Sequence, residues 1–479
     1  MEQIKTYSEK YYFNDFELSI IEEPPIGTLT LFENSTSEIL KDQYKIFNLL
    51  EKKVPFVNAA SFRNEVHFQN AYQTPVQRWF PYREGYSTRL VNAFIKELKI
   101  KGNIFDPFSG SGTTLLAARH NKLDSFGIDV NPMSVLVSKV ENEKYSYLDI
   151  VNFNDELREI KSLVRDKEHY NTSFELADKV FNAEILQSLL NLKNHIKKIE
   201  NKKIQNVFFV AWLAIIEAVS NVKKEGNGIK YKNRKRTSSG YINIDKSEWE
   251  KQAFPEDKFS FVKGKLINHL EKIYEDINNH FGSCDKPPHI FEGNCLEFDK
   301  FFSDEIELTF YSPPYCNSFD YFEMHKVDLW LGDFIANKEE FRLLRNTGFR
   351  SNTNALNHKS INYKNEYIER LIALFDSERL WNKRIPSVVR GYFDDTYTLL
   401  FKLYQQTIKG GSVGIVVGNS AYSGVIIPTD ILVADIAREI GFKVKNIFVT
   451  RHLTTSSQQK KELEVLKNYL RESIVLLER

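Results

Sequence analysis

The sequence predicts an α/β protein built on a largely parallel, doubly wound sheet, and three observations predict it. Strand-like and helix-like text alternates over residues 103–140, a Gly-x-Gly turn joins the first strand to the next helix, and five more strand-like segments return after a long helical interruption.

Ser87 is a plausible N-cap before Leu90, Val91, Phe94, Ile95 and Leu98, which are apolar at helical spacing. Asn103-Ile-Phe-Asp106 then reads as a strand, Thr113 to Arg119 as a helix and Ser125-Phe-Gly-Ile-Asp129 as a second strand. Pro132 to Val140 forms the next helix, with proline in its first turn. From Asp149 to Ile199 and from Gln205 to Val222 the apolar residues fall three and four apart, the pattern of a helical insertion. Residues 223–236 follow as a polar, basic loop. His289–Gly293, Ile306–Tyr311, Ser412–Val417, Val444–Val449 and Ser473–Leu477 resume the sheet, so seven strands are expected in all. A second interruption, 338–390, is rich in Asn and Arg. Residues 1–75 show no chemistry and read as an N-terminal extension.

Composition narrows the class. With 479 residues, 42% hydrophobic and 27% charged, the chain can bury sizeable cores and is neither collagen-like nor disordered. Its longest apolar run, Val207 to Ile216, is too short to span a bilayer, which needs about 20 residues, and no export signal opens the chain. Three cysteines are too few and too irregular for a disulfide framework or a four-ligand zinc site. A cytoplasmic location without a metal is therefore expected. Net charge is +1, so a nucleic-acid partner would have to be held by local basic patches.

Two motifs carry the chemistry. Asp106-Pro-Phe-Ser-Gly110-Ser-Gly112-Thr-Thr114 joins strand to helix, where glycines let backbone approach a ligand and the helix N-terminus supplies donors. It lacks the third glycine of the dinucleotide fingerprint and the Gly-Lys-Ser/Thr of the phosphate loop. Asp129, ending the second strand, stands where a carboxylate can take both ribose hydroxyls of an adenosine ligand. The second motif, Ser312-Pro313-Pro314-Tyr315, follows a strand end, where α/β sheets place reactive groups. Proline keeps its carbonyl but has no N–H, so Ser312 Oγ and the Pro313 carbonyl can present acceptors to an amine. Those acceptors would localise the amine's lone pair.

Together these segments resemble the amino-group DNA methyltransferases over residues 80–140 and 288–330, and more weakly through Val416-Val-Gly-Asn419-Ser420. The resemblance implies a Rossmann-like seven-stranded methyltransferase sheet that binds S-adenosylmethionine. It places Tyr82, Tyr86, Ser87 and Thr88 of the preceding segment, then Asp106, Pro107, Phe108, Ser109, Gly110, Gly112, Thr113, Thr114, Asp129 and Asn294, around the cofactor. Ser312, Pro313, Pro314 and Tyr315 become the catalytic residues. An aspartate is more usual than Asn294 in that family. Serine at the first position of the tetrapeptide is commoner in cytosine-N4 enzymes, and Asp or Asn in adenine-N6 enzymes, so cytosine N4 is favoured. Cys316 is not a cytosine-C5 nucleophile, because Tyr315 separates it from the proline it would have to follow. His325 and Trp330 are expected to support the following helix.

The expected activity is site-specific methylation of double-stranded DNA in a restriction-modification or phage-defence setting, with any endonuclease or defence subunit a separate chain. Alternatives are an adenine-N6 enzyme, an RNA amino-group methyltransferase and a silent DNA-binding subunit. Lys223, Lys224, Lys230, Lys232, Arg234, Lys235 and Arg236 are the expected DNA contacts. Arg342, Arg345, Arg350, Lys359, Lys364, Arg370, Arg384 and Arg390 give the second interruption a similar bias. The expected division is an N-terminal extension (1–75), a first core part with the cofactor motifs (76–145), a helical, DNA-binding insertion (146–285), a second core part with the catalytic motif (286–337), a basic, target-recognising insertion (338–390) and a third core part (391–479). In the family the recognition domain usually lies later than the large insert does here. Arg451, His452 and Thr454–Gln458 fall where they could reach the rim of the site.

Overall fold

Val413-Gly-Ile-Val-Val417 is apolar and buried on both faces, and Leu308–Tyr311 is buried on both, which demands a sheet covered by helices on each side. The computed structural model, which describes residues 7–21, 37–67, 73–226, 228–237, 240–280, 286–356, 360–453 and 463–479, meets that demand. In chain order its strands are β1 (Tyr7–Phe13), β2 (Phe16–Ile21), β3 (Phe56–Asn58), β4 (Ile104–Asp106), β5 (Ser125–Asp129), β6 (Val222–Lys224), β7 (Ile229–Tyr231) and β8 (Arg234–Thr237). There follow β9 (Gly240–Asn243), β10 (His289–Glu292), β11 (Ile306–Tyr311), β12 (Thr407–Gly418), β13 (Ser420–Tyr422), β14 (Val425–Ile427), β15 (Lys443–His452) and β16 (Arg471–Glu478).

One ten-stranded sheet has the order β1-β2-β3-β15-β16-β12-β11-β4-β5-β10. From β12 to β10 all neighbours run parallel, and β16 lies antiparallel between β12 and β15. All seven expected strands are present as β4, β5, β10, β11, β12, β15 and β16. From β4 the chain steps outward to β5 and β10, and from β11 it steps the other way to β12. This reversal makes a topological switch point at the carboxyl ends of β4 and β11, where open α/β sheets bind ligands.

The N-terminal segment supplies the other three strands. β3 pairs parallel with β15, Phe56 opposite Ile447, and β2 and β1 follow antiparallel. Between β2 and β3 the helix Glu38–Glu51, capped by Ser37, buries Phe47 against Tyr469 with ring centroids 4.6 Å apart. Glu51 at its end meets the fully buried Arg471 at 3.0 Å, and Arg471 also pairs with Asp430 at 2.7 Å.

The long insertion shares its core with its neighbours. Phe153, Leu189, Trp212 and Leu270 lie in one apolar cluster with Trp79 and Phe80 ahead of it and with Trp330 and Phe341 beyond it. Asp276 from the helix Lys258–His280 accepts hydrogen bonds from the Val76 N–H at 3.0 Å and from Trp79 Nε1 at 2.9 Å, fixing the segment that leads to Tyr82. Among the described residues no helix is long and apolar enough to cross a membrane.

Candidate active site

The turn after β4 needs glycine. Gly110 and Gly112 have φ of +51° and +89°, and a Cβ on Gly110 would stand 2.8 Å from the Tyr82 ring. The Gly110 N–H donates to Asp129 Oδ2 at 2.9 Å, and the Asn131 N–H donates to Oδ1 at 2.8 Å. Burial pushes the Asp129 carboxyl up to about 6 despite these donors. Asp106 is more deeply buried and is pushed up to about 7. It accepts from the Phe108 N–H at 3.0 Å and from the Tyr86 hydroxyl at 3.1 Å. The Thr114 hydroxyl lies 2.6 Å from that of Tyr86, so Tyr86 ties the end of β4 at Asp106 to the helix in whose first turn Thr114 stands.

A cavity of about 790 Å³ opens at the switch point, and Tyr82, Tyr86, Pro107, Phe108, Asp129 and Asn294 are in its wall. The other residues expected around a cofactor lie outside that wall. Ser87 caps the helix Thr88–Glu97, Thr88 donates to Gln77 Oε1 at 3.3 Å, and Thr113 accepts from Gln77 Nε2 at 3.1 Å. Ser109, Gly110 and Gly112 form the turn beneath, where Ser109 Oγ is buried without a hydrogen-bond partner. Asn294 accepts from the Leu296 N–H at 2.9 Å as the cap of a short 3₁₀ turn, and this leaves its amide N–H groups for other partners.

Ser312, Pro313, Pro314 and Tyr315 line the same cavity. The Ser312 hydroxyl donates to the Val416 carbonyl at 3.1 Å, so its lone pairs stay available as acceptors. The Tyr315 hydroxyl donates to Glu472 Oε1 at 2.7 Å, and its backbone N–H donates to the Tyr321 hydroxyl at 3.3 Å. Burial holds the Cys316 thiol far above its ordinary range, which leaves no thiolate for a covalent route.

A buried ionic group in the cavity wall escaped the sequence reading. His325 stacks on Tyr82 with centroids 5.6 Å apart and planes at 14°; its Nδ1 lies 3.3 Å from Asp328, and its Nε2 3.7 Å from Glu84. Lys224 pairs with Asp328. Burial and Lys224 oppose charge on His325, but the two carboxylates outweigh them and raise its pKa. The expected supporting role thus belongs to Trp330, buried in the apolar core, while His325 also faces the cavity. Two signals were available: Glu84 lies between Tyr82 and Tyr86 in the segment before the glycine loop, and His325 and Asp328 stand three apart.

The expected basic loop is instead two β-hairpins, β6–β7 and β8–β9, in which Val222 pairs antiparallel with Tyr231 and Arg234 with Asn243. Lys224 points inward to Asp328, and Lys232 donates to the Ser220 carbonyl at 2.9 Å. Lys223 and Lys230 face solvent, both paired with Glu225. Arg234 and Lys235 are exposed, with Arg234 4.3 Å above the Tyr241 ring, and the Arg236 side chain lies outside the described residues.

The arginines of the second interruption are largely spent within the chain. Arg345 meets Asp320 at 2.8 Å, the buried Arg350 meets Asp395 at 2.6 Å and Arg390 meets Glu369 at 2.6 Å. Arg342 pairs with Glu339 at 2.6 Å and Arg370 with Glu366 at 3.7 Å. Lys364 and Arg384 remain exposed, and Lys359 lies outside the described residues. Arg451 is in the cavity wall, whereas Thr454–Gln458 lie outside the described residues.

Comparison with known proteins finds DNA methyltransferases. A family model for N6/N4 enzymes, described as DNA methylase, matches residues 64–140, which span the segment before the glycine loop, the loop itself and Asp129. The chain is 25% identical over 461 residues to the Type II methyltransferase M.AvaI of Nostoc sp., covering 88% of each protein. It is 26% identical over 461 residues to the Type II methyltransferase M.BsoBI of Geobacillus stearothermophilus, again covering 88% of each. Similarity to the Type II methyltransferase M.MvaI of Kocuria varians is 24% over 354 residues, 70% of this chain and 74% of that protein.

Proposed function

We propose that this chain, which is similar to Type II DNA methyltransferases and matches an N6/N4 DNA methylase model over residues 64–140, moves a methyl group from S-adenosylmethionine to the exocyclic amine of a base extruded from double-stranded DNA, with cytosine N4 as the favoured acceptor, at a specific sequence in a restriction-modification or phage-defence setting. The observation that carries this reading is that one cavity has both Asp129 and Ser312–Tyr315 in its wall.

The wall suits an adenosine. Each Asp129 oxygen already takes one backbone N–H but keeps further lone pairs for ribose hydroxyls. Phe108 and the buried Phe349 offer apolar faces for a purine, with the Asn294 amide beside them. S-adenosylmethionine, when bound, supplies an electrophilic methyl group on a sulfonium.

The chain's own residues then act on the amine. Ser312 Oγ, its proton committed to Val416, and the Pro313 carbonyl accept the two amine hydrogens, drawing them from the ring plane and turning the nitrogen lone pair toward the methyl. With the cofactor bound, the lone pair would take the methyl as its carbon–sulfur bond breaks, and the methylated amine would shed a proton to water. Tyr315 stacks on the extruded base, which supports capture by about 1–3 kcal/mol. The solvent-facing cations Lys223, Lys230, Arg234 and Lys235 hold phosphates on the hairpin side of the cavity.

The test is incubation of the protein with the cofactor and either unmethylated genomic DNA or total RNA, followed by nucleoside mass spectrometry. N4-methylcytosine in DNA is expected. N6-methyladenine would keep the mechanism and change the base, product in RNA alone would move the substrate to RNA, and no product with cofactor bound would mark a silent subunit.

A further inference from the structure

The carboxyl end of the sheet carries a lateral row of three residues. Gly418 on β12 stands opposite Glu472 on β16, and Glu472 stands opposite Arg451 on β15. Tyr315 is seated on this row. Its ring packs so closely on Gly418 that a Cβ there would fall 2.7 Å from Cε2, and its hydroxyl donates to Glu472 Oε1 at 2.7 Å. Glu472 is 2% exposed, and Arg451 grips both its oxygens, Nε to Oε2 at 2.5 Å and Nη2 to Oε1 at 3.1 Å.

A buried carboxylate with its arginine is a costly way to satisfy one phenol, because desolvation consumes most of the pair's attraction. What it adds is direction. A Tyr ring held only by apolar contact can rotate about its side-chain torsions, whereas here Gly418 limits the ring on one side and Glu472 fixes the hydroxyl end. The Tyr315 ring also lines the cavity, so these two contacts set the plane it offers there. We propose that Glu472, itself held by Arg451, is a positioning residue that orients Tyr315 as the platform for the target base; this rests on the methyltransferase reading above.

The experiment compares wild type with Tyr315→Phe, Glu472→Ala, Glu472→Gln and the double variant Tyr315→Phe/Glu472→Ala, on a DNA duplex carrying the methylated site found for the wild type. It measures kcat, KM for DNA, cofactor Kd and the fluorescence of 2-aminopurine placed at the target base. Tyr315→Phe and Glu472→Ala should each lower kcat/KM by roughly tenfold or more, as loss of a hydrogen bond to a charged group does. The double variant should be no worse than the poorer single one, cofactor Kd should stay unchanged, and Glu472→Gln, which still offers an acceptor, should recover most of the loss. Losses that multiply in the double variant, or a Tyr315→Phe enzyme equal to wild type, would overturn the inference. Tyr315→Phe removes one oxygen and guards against misreading an unfolded Glu472 variant. A wild type that methylates nothing would instead defeat the underlying functional reading, so the two failures are separable.

Discussion

The Gly110 N–H donates to Asp129 Oδ2 at 2.9 Å, and so the turn after β4 and the end of β5 share one carboxylate. Burial has pushed that carboxyl up to about 6, and it must be ionised to accept ribose hydroxyls. Cofactor affinity is therefore expected to be flat above pH 7 and to fall by about tenfold per unit well below pH 6. Stability should move the other way. The folded state holds protons on Asp129 and Asp106 up to about 6 and 7, above their ordinary value of 3.8, so the contribution of these groups is fully present below that value and is lost as pH rises to 7. Calorimetric titration across pH 5–8 checks the first trend, and urea melts of the free protein check the second. Asp129→Asn should weaken binding by about 1.5–3 kcal/mol and flatten the pH profile; a retained pH step would assign it to another group.

The two hairpins give opposite expectations for neighbouring lysines. Lys224→Met leaves Asp328 and Glu84 buried with only His325 between them and should cost about 3–5 kcal/mol in a urea melt. Replacing Lys223, Lys230, Arg234 and Lys235 with glutamine should change stability by no more than about 0.5 kcal/mol each. The same set should lower the slope of log affinity against log salt by about 0.9 for every cation that touches a phosphate, measured by fluorescence anisotropy with a DNA duplex. An unchanged slope would make the hairpins ordinary surface.

What could be read in the sequence follows from where each signal resides. Strands buried on both faces announce themselves as apolar runs, so β4, β5, β11 and β12 were legible, as were the two motifs that follow β4 and β11. The N-terminal strands carry no such run: in β2 buried Phe16 and Leu18 alternate with exposed Glu17, which in isolation resembles many solvated segments. The hairpins were missed for the same reason, since every residue of β9 is exposed. The charge reading failed differently. Arg350 is neutralised by Asp395, 45 positions away, and no local pattern reveals a partner at that distance. The Glu84–His325–Asp328–Lys224 group likewise gathers residues from three separate stretches of the chain.

The N-terminal segment should prove inseparable from the sheet. Arg471 is fully buried between Glu51 and Asp430, and burial pushes the Glu51 carboxyl up because one guanidinium serves two acids. Arg471→Met should therefore cost about 3–5 kcal/mol, with the pair left uncompensated. The triple variant Arg471→Met/Glu51→Gln/Asp430→Asn removes all three charges and should recover much of that loss. A triple variant no better than the single one, in urea melts, would show that hydrogen bonds rather than charge hold the helix Glu38–Glu51 in place.

The tetrapeptide separates side chain from backbone. Ser312 presents its acceptor on a hydroxyl oriented by the Val416 carbonyl, whereas Pro313 presents its own on the main chain, which any residue retains. Ser312→Ala should consequently reduce kcat by about tenfold to a hundredfold, the scale on which a transition-state hydrogen bond to a developing charge operates, while cofactor Kd stays constant. Pro313→Ala keeps the carbonyl and loses only stiffness, so its effect should be several-fold smaller and should shrink further at low temperature, where the loop samples fewer conformations. Single-turnover rates with excess enzyme measure both without interference from product release. Equal losses for the two variants would mean that rigidity, and not the serine acceptor, prepares the amine.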